Sequence, residues 1–381
     1  MDNGASTSGT GAIARISDVV DALDERFPWE LAGTRGPQGL LIGSPSAAAS
    51  RVLCSVDLTS AVVEAAASRS SDVIVAHHTG LLHRARGPLD TDTPGGHITS
   101  MALSAGIGII SCYKNADVAR GGASDLMAGA AGLDRTEPLV GARGSHVAKV
   151  VTFVPPEAVE AVAYAMSEAG AGVIGEYTRC SFRTTGTGAF FAPEGASPYT
   201  GQPGRMNLAD EVRLEMVAPS FRVKSVLAAM IASHPYQEVA FDVYRTEAPV
   251  PWGLGRLGDL HQARSAQAIA LQMAEWSASE AVSISGEAER MVSRLAVVPG
   301  PADKVVATAA AGGAQALVAG EAGWHATVEA GEYGLTLITI GHLESERALI
   351  GAFTGALEAA REKEGWRMEI EGYKDREGRW G

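Results

Sequence analysis

The chain has 381 residues, 46% of them hydrophobic, and a formal net charge of −13 at pH 7. This length exceeds one ordinary core and predicts two or three domains. The net negative charge argues against a nucleic-acid partner, because binding to nucleic acid requires a positively charged surface. The three cysteines are far apart and form no CxxC pair, which argues against a disulfide framework or a thiolate zinc site. No apolar run approaches ~18 residues, so we expect no membrane span.

The first stretch, 1–14, predicts a disordered leader. It is rich in Gly, Ser and Thr, and it has neither the basic region nor the apolar region of a signal peptide. We therefore expect a cytoplasmic protein.

The segment 15–146 predicts an N-terminal α/β half. Strands at 51–57 and 72–76 flank a helix at 61–67, and the short loops between them indicate a βαβ unit. Functional sites form at the carboxyl ends of such strands. His77 and His78 directly follow the second strand.

Two adjacent histidines at a strand end predict metal ligands. Neighbouring side chains of a strand point to opposite faces, so both imidazoles can serve one site only where the strand ends. Thr79 and Gly80 permit a turn there. Neutral imidazole is the commonest metal ligand among side chains. The alternative is a pair of hydrogen-bonded histidines without a metal.

Asp117 lies just beyond the end of another apolar strand, at 106–112. The glycines Gly121 and Gly122 then let the backbone turn into the next helix. The sequence therefore offers Asp117 as a carboxylate at the same kind of strand end. A turn or cap residue is the alternative interpretation.

The segment 147–250 has a different pattern and predicts an inserted domain. Its expected order, β-α-β-β-β-α-β, resembles a small ferredoxin-like α+β module. The expected elements are strands at 149–155, 177–184, 188–191, 212–218 and 238–244, with helices at 156–169 and 220–233.

The segment 251–381 predicts a C-terminal α/β half. A helix is expected at 261–278, and an apolar strand at 316–320 ends at Glu321. Glu321 and His325 are candidates for proton transfer or for supporting a metal ligand; the alternative is helix-surface residues. A later strand leads into a helix expected over 342–362, where His342 and Glu346 lie four residues apart on one face.

Taken together, these motifs resemble the Nif-three-like family, the GTP cyclohydrolase 1 type 2 homologues. The resemblance covers about 16–373 and rests on four blocks: Val52–Thr59, Ile74–His78, Asn115–Asp125 and Gly341–Glu346. The insert resembles that of the longer family members, which is PII/CutA-like; its matching runs are Gly170–Cys180, Gly186–Gly188 and His234–Tyr244.

The resemblance implies an α/β fold in which two Nif-three-like halves surround a dinuclear metal site. It implies two divalent cations, and mixed imidazole and carboxylate ligands suit Zn, Mn or Fe better than Ca. It also implies self-association into a toroidal trimer or hexamer. The ligands carried over are His77, His78, Asp117, His342 and Glu346, and the two carboxylates could bridge the ions.

The chain also departs from the family pattern. Tyr113 stands where family members usually have a histidine, and Thr79 replaces the common proline after the histidine pair. Arg35–Gln38 replaces an early Trp-Asp-Asn. The implied ligands survive, so these changes bear on catalysis more than on metal binding.

Paired metal ions clamp and polarise phosphoryl or carbonyl oxygens, which is the chemistry of a metal-dependent hydrolase. We therefore expect hydrolysis of a nucleotide or another small phosphorylated substrate. Gly-x-Gly fragments such as 186–188 lack the Lys-Ser/Thr of a Walker loop. The alternative function is a non-catalytic oligomeric metal-binding scaffold or regulator whose inserted domain senses a ligand.

Overall fold

The structure, a computed structural model, describes residues 11–33, 36, 38–83, 89–142 and 145–374. The chain divides into two compact units: Met1–Arg143 with Pro251–Gly381, and Gly144–Val250. Most of the expected leader, 1–10, lies outside the described residues, as do Arg35 and Pro37. Ala14 is buried. Within the described part, no helix combines the length and apolar character needed to cross a membrane.

The strands of the described residues are β1 (Gly39–Ile42), β2 (Arg51–Asp57), β3 (Val73–His78), β4 (Gly108–Ser111), β5 (Leu133–Gly141), β6 (Val147–Val154), β7 (Phe182–Ala192), β8 (Arg205–Pro219), β9 (Phe241–Arg245), β10 (Gly253–Ser265), β11 (Ser283–Ser285), β12 (Met291–Pro301), β13 (Ala316–Glu321), β14 (Thr336–Thr339) and β15 (Glu369–Gly372).

The α-helices of the same residues are α1 (Ile16–Arg26), α2 (Ser60–Ser68), α3 (Pro94–Ala105), α4 (Lys114–Val118), α5 (Ala123–Ala131), α6 (Val159–Glu168), α7 (Val223–Ser233), α8 (Ala266–Ser277), α9 (Val306–Ala311), α10 (Trp324–Glu332), α11 (His342–Glu346) and α12 (Leu349–Glu364).

One sheet of the first unit has the order β1-β4-β3-β2-β15. β15, β2, β3 and β4 run parallel, and β1 is antiparallel to β4. The central strands are continuous apolar runs because helices cover both faces. Leu53 and Ile74 pack with α2 and α3, whereas α12 packs on β2 and β15.

The other sheet of this unit has the order β11-β14-β13-β12-β10-β5. β12, β13 and β14 run parallel, and the remaining pairs are antiparallel. Met127 of α5 and Ile269 of α8 pack on one face, and Val306 of α9 and Ala326 of α10 contribute to the second core cluster. The predicted mixed α/β class is therefore confirmed.

Three features of this unit differ from the sequence prediction. The segment after 261 is still strand β10, and α8 begins only after Ser265, whose Oγ accepts a hydrogen bond from the Ala268 N–H. β5 was not predicted. The helix expected over 342–362 is two helices, α11 and α12.

The second unit has the element order β6-α6-β7-β8-α7-β9, and its sheet has the order β7-β8-β6-β9 with antiparallel neighbours. This is a ferredoxin-like arrangement. The prediction of separate strands at 177–184 and 188–191 was wrong: β7 is one strand, paired along its whole length with β8, which begins at Arg205 rather than at 212. Gly186 and Gly188 lie within this ladder because β8 continues past them.

Candidate metal centre

His77 and His78 end strand β3, and a 3-10 turn follows at Gly80–His83. The His77 ring is fully buried, and the His78 side chain is 25% exposed. Their ring centroids are 4.4 Å apart. One ligand atom from each histidine and one from Glu346 all lie within 4.8 Å of one another. The adjacent imidazoles therefore serve one place, which could hold a metal ion.

A hydrogen bond at Nδ1 orients each of these two rings. The His77 Nδ1–H donates to the Cys112 carbonyl oxygen at 2.7 Å, and the His78 Nδ1–H donates to Asp57 Oδ1 at 3.0 Å. With the proton on Nδ1, each Nε2 keeps a lone pair that points into the cluster. Metal-ligating histidines are commonly oriented in this way.

The short helix α11 brings a third histidine and a carboxylate from the other sheet. Glu346 Oε2 lies 3.1 Å from His78 Nε2 and 3.7 Å from His77 Nε2. Its other oxygen, Oε1, lies 3.4 Å from His342 Nε2. The His342 Nδ1–H in turn faces Glu321 Oε1 at 3.0 Å. The two oxygens of Glu346 thus face different histidines.

Asp117 reaches the cluster from α4, which follows β4. Its Oδ1 lies 3.4 Å from His77 Nε2. The Ser124 hydroxyl donates to the Asp117 carbonyl oxygen at 2.6 Å, which holds the backbone of this turn. Asp117 is buried, so its carboxylate has little access to water.

Gly300, at the end of β12, leaves room for these ligands. A Cβ on Gly300 would stand 3.2 Å from Glu346 Oε1 and 3.4 Å from His342 Nε2, and its φ is +66°. The Gly300 N–H donates to the Ser345 Oγ, which itself donates to the His342 carbonyl oxygen. Glycine therefore allows the backbone at position 300 to lie close to the side chains of Glu346 and His342, where a larger residue would crowd them.

The donor set fits a divalent cation. Three buried atoms, His77 Nε2, Asp117 Oδ1 and Glu346 Oε2, have no hydrogen-bond partner among the described residues. Burying such atoms unpaired is costly. Ligand atoms about 2.1 Å from one ion stand about 3.0–3.4 Å apart. The separations of 3.1 and 3.4 Å in this cluster match that spacing.

The electrostatics also favour a cation. Burial would lower the pKa of His77, but the carboxylates of Asp117 and Glu346 raise it to about 9. The Glu346 hydrogen bond raises the pKa of His342 to about 9 against its desolvation. Burial, opposed by His77, raises the pKa of Asp117 to about 6. Without a metal ion, protons on the imidazoles would balance the negative charge of the carboxylates, and a bound cation would take the place of the protons on Nε2.

A cavity of about 540 Å³ opens beside the cluster. It gives His78 and His342 access to a ligand, whereas His77 lies behind them and is buried. The wall includes Asp57, His78, Thr79, Tyr113, His342 and Leu343.

The structure brings together His77, His78, Asp117, His342 and Glu346, and it places Glu321 against His342. His325 is exposed in α10 and does not take part in any of the close contacts described above. Sequence reasoning did not assign a site role to Asp57 or Gly300. Asp57 could have been found, because it ends β2 beside β3 at the same sheet edge. Gly300 has no side chain to signal its role.

Comparison with known proteins gives one consistent family. A family model described as Duf34/NIF3 (NGG1p interacting factor 3) matches residues 14–377. A Bacillus subtilis (strain 168) protein named GTP cyclohydrolase 1 type 2 homolog is 36% identical over 322 residues, covering 84% of this chain and 86% of its own. A Mycobacterium tuberculosis (strain H37Rv) protein of the same name is 37% identical, with 87% and 88% covered.

A solved structure supports the same family assignment. The crystal structure of a Bacillus cereus protein related to NIF3 superposes with a TM-score of 0.84 at 30% identity, covering 95% of this chain and 97% of that one.

Proposed function

The chain belongs to the Duf34/NIF3 family, and on that premise we propose that it binds two divalent metal ions and acts as a metal-dependent hydrolase. Its substrate would be a nucleotide or another small phosphorylated molecule, as the name GTP cyclohydrolase 1 type 2 homolog suggests for its relatives. The observation that carries the proposal is the convergence of buried, unpaired ligand atoms beside an open cavity.

Two ions are proposed because the ligand atoms separate into two groups around one carboxylate. Glu346 Oε2 faces His77 and His78, and Oε1 faces His342. Asp117 extends the first group. Zn, Mn or Fe suits such mixed ligands.

Divalent ions held here would polarise a phosphoryl or carbonyl oxygen and lower the pKa of water. The chain's own groups would bind and orient. Asp57 and Glu321 keep the Nε2 atoms of His78 and His342 aimed at the cluster. Glu321 is 57% exposed and would accept a proton as well. His325, exposed at the start of α10, is a second proton-transfer candidate.

The alternative is a non-catalytic oligomeric metal-binding scaffold. Large apolar side chains of β7 and β8 are exposed, including Phe182, Phe191 and Leu208, the last at 76%. Such a surface favours association with further copies of this chain, as a trimer or hexamer. Turnover would then be absent while the metal stays bound.

One experiment separates the two functions. Metal-loaded and metal-free protein are assayed for phosphatase and cyclohydrolase activity on a nucleotide panel, with elemental analysis of each sample. The hydrolase predicts metal-dependent turnover that His78→Ala abolishes. Two retained metals without turnover of any nucleotide would favour the scaffold.

A further inference from the structure

The Tyr113 ring lies beside the metal-ligand cluster. Its ring centroid lies 5.9 Å from that of His77 and 6.2 Å from that of His78. Gly36 packs against the ring edge: a Cβ there would stand 2.5 Å from Tyr113 Cδ1, and the φ of Gly36 is +90°. The ring is thus flanked by the two imidazoles and by the Gly36 backbone.

The phenol is an uncommitted donor in the cavity wall. Among the described residues, no hydrogen-bond partner is found for the Tyr113 hydroxyl, although its ring lines the cavity. The other polar side chains of that wall already have partners: His78 and Asp57 bond to each other, Thr79 bonds to Ser111, and His342 faces Glu321. Among the described residues of this wall, Tyr113 is therefore a polar side chain outside the metal-ligand set whose hydroxyl is available to bond to a ligand.

A positively charged side chain lies near the phenol, and metal ions bound at the cluster would neutralise the carboxylates of Asp117 and Glu346. The Lys114 ammonium nitrogen lies 6.0 Å from the Tyr113 ring centroid. A phenol is neutral at pH 7 and carries one O–H donor. A neutral donor beside an ammonium group, and next to a cation-binding cluster, suits an oxygen that bears negative charge.

We propose that the Tyr113 hydroxyl donates a hydrogen bond to a phosphoryl oxygen of the ligand in this cavity. The inference rests on the proposed function, because the same ligand would be held by metal ions at His78, His342 and Glu346. It adds a recognition group that the ligand set does not supply. A site built to hydrogen-bond one oxygen rejects analogues that lack it.

The test uses full-length Mn²⁺-loaded protein and calorimetric titration with inorganic phosphate and, in parallel, with a nucleoside monophosphate. Tyr113→Phe removes the hydroxyl and keeps the ring against Gly36 and the histidines. Tyr333→Phe is the matched control, because Tyr333 is an exposed residue of the same unit outside this cavity wall. Metal content is measured for every protein by elemental analysis.

We expect Tyr113→Phe to lose about tenfold or more in affinity in at least one titration, because a hydrogen bond to a charged group is lost. Tyr333→Phe should match the wild type, and metal content should be equal in all three. The titration that binds more tightly identifies free phosphate or a nucleotide as the source of the phosphoryl group.

Equal affinity of Tyr113→Phe and wild type, with metal retained, overturns the inference and leaves the proposed function standing. Wild-type protein that holds metal but binds neither probe overturns it as well. Wild-type protein that holds no metal removes the proposed function, and this inference falls with it. A loss of metal in Tyr113→Phe would instead make Tyr113 part of the metal site, which contradicts a role in binding the phosphoryl oxygen alone.

Discussion

The Arg256 Nε–H donates a 2.5 Å hydrogen bond to Asp125 Oδ1, and Arg256 is only 2% exposed. The same guanidinium donates to the carbonyl oxygens of Gly253 and Gly255. Asp125 also accepts from the Gly121 N–H at 2.6 Å. This ion pair, which is buried at Arg256 and partly exposed at Asp125, therefore ties β10 to the first turn of α5 and to the turn before it.

That turn follows α4, which carries Asp117. The Ser124 hydroxyl donates to the Asp117 carbonyl oxygen and accepts from the Gly255 N–H. The position of one candidate metal ligand thus depends on contacts made by β10.

Arg256→Met should lower the free energy of unfolding by about 3 kcal/mol, because removing one partner leaves Asp125 uncompensated. This is the low end for a buried pair, since the Asp125 side chain is 29% exposed. Arg294→Met is the control: Arg294 pairs with the exposed carboxylates of Asp259 and Glu137 and should cost below about 1 kcal/mol. Chemical denaturation measures both. Equal losses would contradict the expectation.

Glu346→Gln should lower metal affinity by at least about tenfold, because it removes the charge of the carboxylate that faces all three histidines. Glu344→Gln is a control on the same helix, since Glu344 faces Arg347 instead. Metal content after dialysis at fixed free metal checks the pair. Retention of two metals by Glu346→Gln would count against the site.

Gly300→Ala should weaken metal binding by roughly tenfold, since its Cβ would crowd Glu346 and His342. Gly313→Ala carries the same backbone penalty, because its φ is +79°, but its Cβ would make ordinary contact with Arg294. Each should cost about 1–2 kcal/mol of stability. Metal titration measures the effect of crowding the ligands, and parallel denaturation measures the cost of backbone strain. Equal metal affinities of the two variants would show that Gly300 is needed only for its backbone conformation.

Replacing residues 143–251 by an Asn-Gly turn should preserve the metal site. Gly141 pairs with Gly253 across β5 and β10, and the Ala142 N–H donates to the Trp252 carbonyl oxygen. The chain thus leaves and re-enters the first unit at adjacent points that a two-residue hairpin can join. Elemental analysis should find wild-type metal content, which His78→Ala in the shortened chain should remove. A folded shortened chain without metal would oppose this prediction.

Low pH should destabilise the second unit through His234. Its Nδ1 accepts from the Tyr236 N–H, and its Nε2–H donates to the Phe153 carbonyl oxygen. Burial lowers the pKa of His234 below 6.5, against the effects of Phe153 and Glu211. The unfolded chain therefore binds the proton more readily than the folded chain. The stability that neutral His234 contributes is full above pH about 6.5 and is lost as the pH falls through the folded-state pKa.

His234→Asn supplies the comparison, because its side-chain oxygen can accept from Tyr236 without titrating. Denaturation midpoints of both proteins at pH 8 and pH 5 give the difference. A wild type that loses no more stability than the variant on acidification would contradict the assignment.

Much of the fold was accessible from local patterns. Continuous apolar runs such as 72–76 are bounded by turn residues, so the strands and their carboxyl ends could be placed. His77, His78, Asp117 and Glu321 were found because each follows such a run. The family resemblance then connected them with α11.

The features that local patterns did not predict depend on contacts between residues far apart in the sequence. β5 contains Arg135, Glu137 and Pro138 and is mostly exposed, so only its pairing with β10 makes it a strand. The glycines of β7 suggested a break that β8 bridges. The position of Asp57 at the same sheet edge could have been inferred, but its hydrogen bond to the Nδ1 of His78 depends on side-chain orientation, which the sequence does not specify.

His77 and His78 end a strand of one sheet, while Glu346 lies on a helix that follows a strand of the other. A bound cation would therefore cross-link the two sheets of the first unit. By mass action, the melting temperature should rise with free metal concentration, with about 2.7 kcal/mol gained at a hundredfold excess over Kd. Scarcity of metal in the cell would then reduce the lifetime of the protein as well as its occupancy.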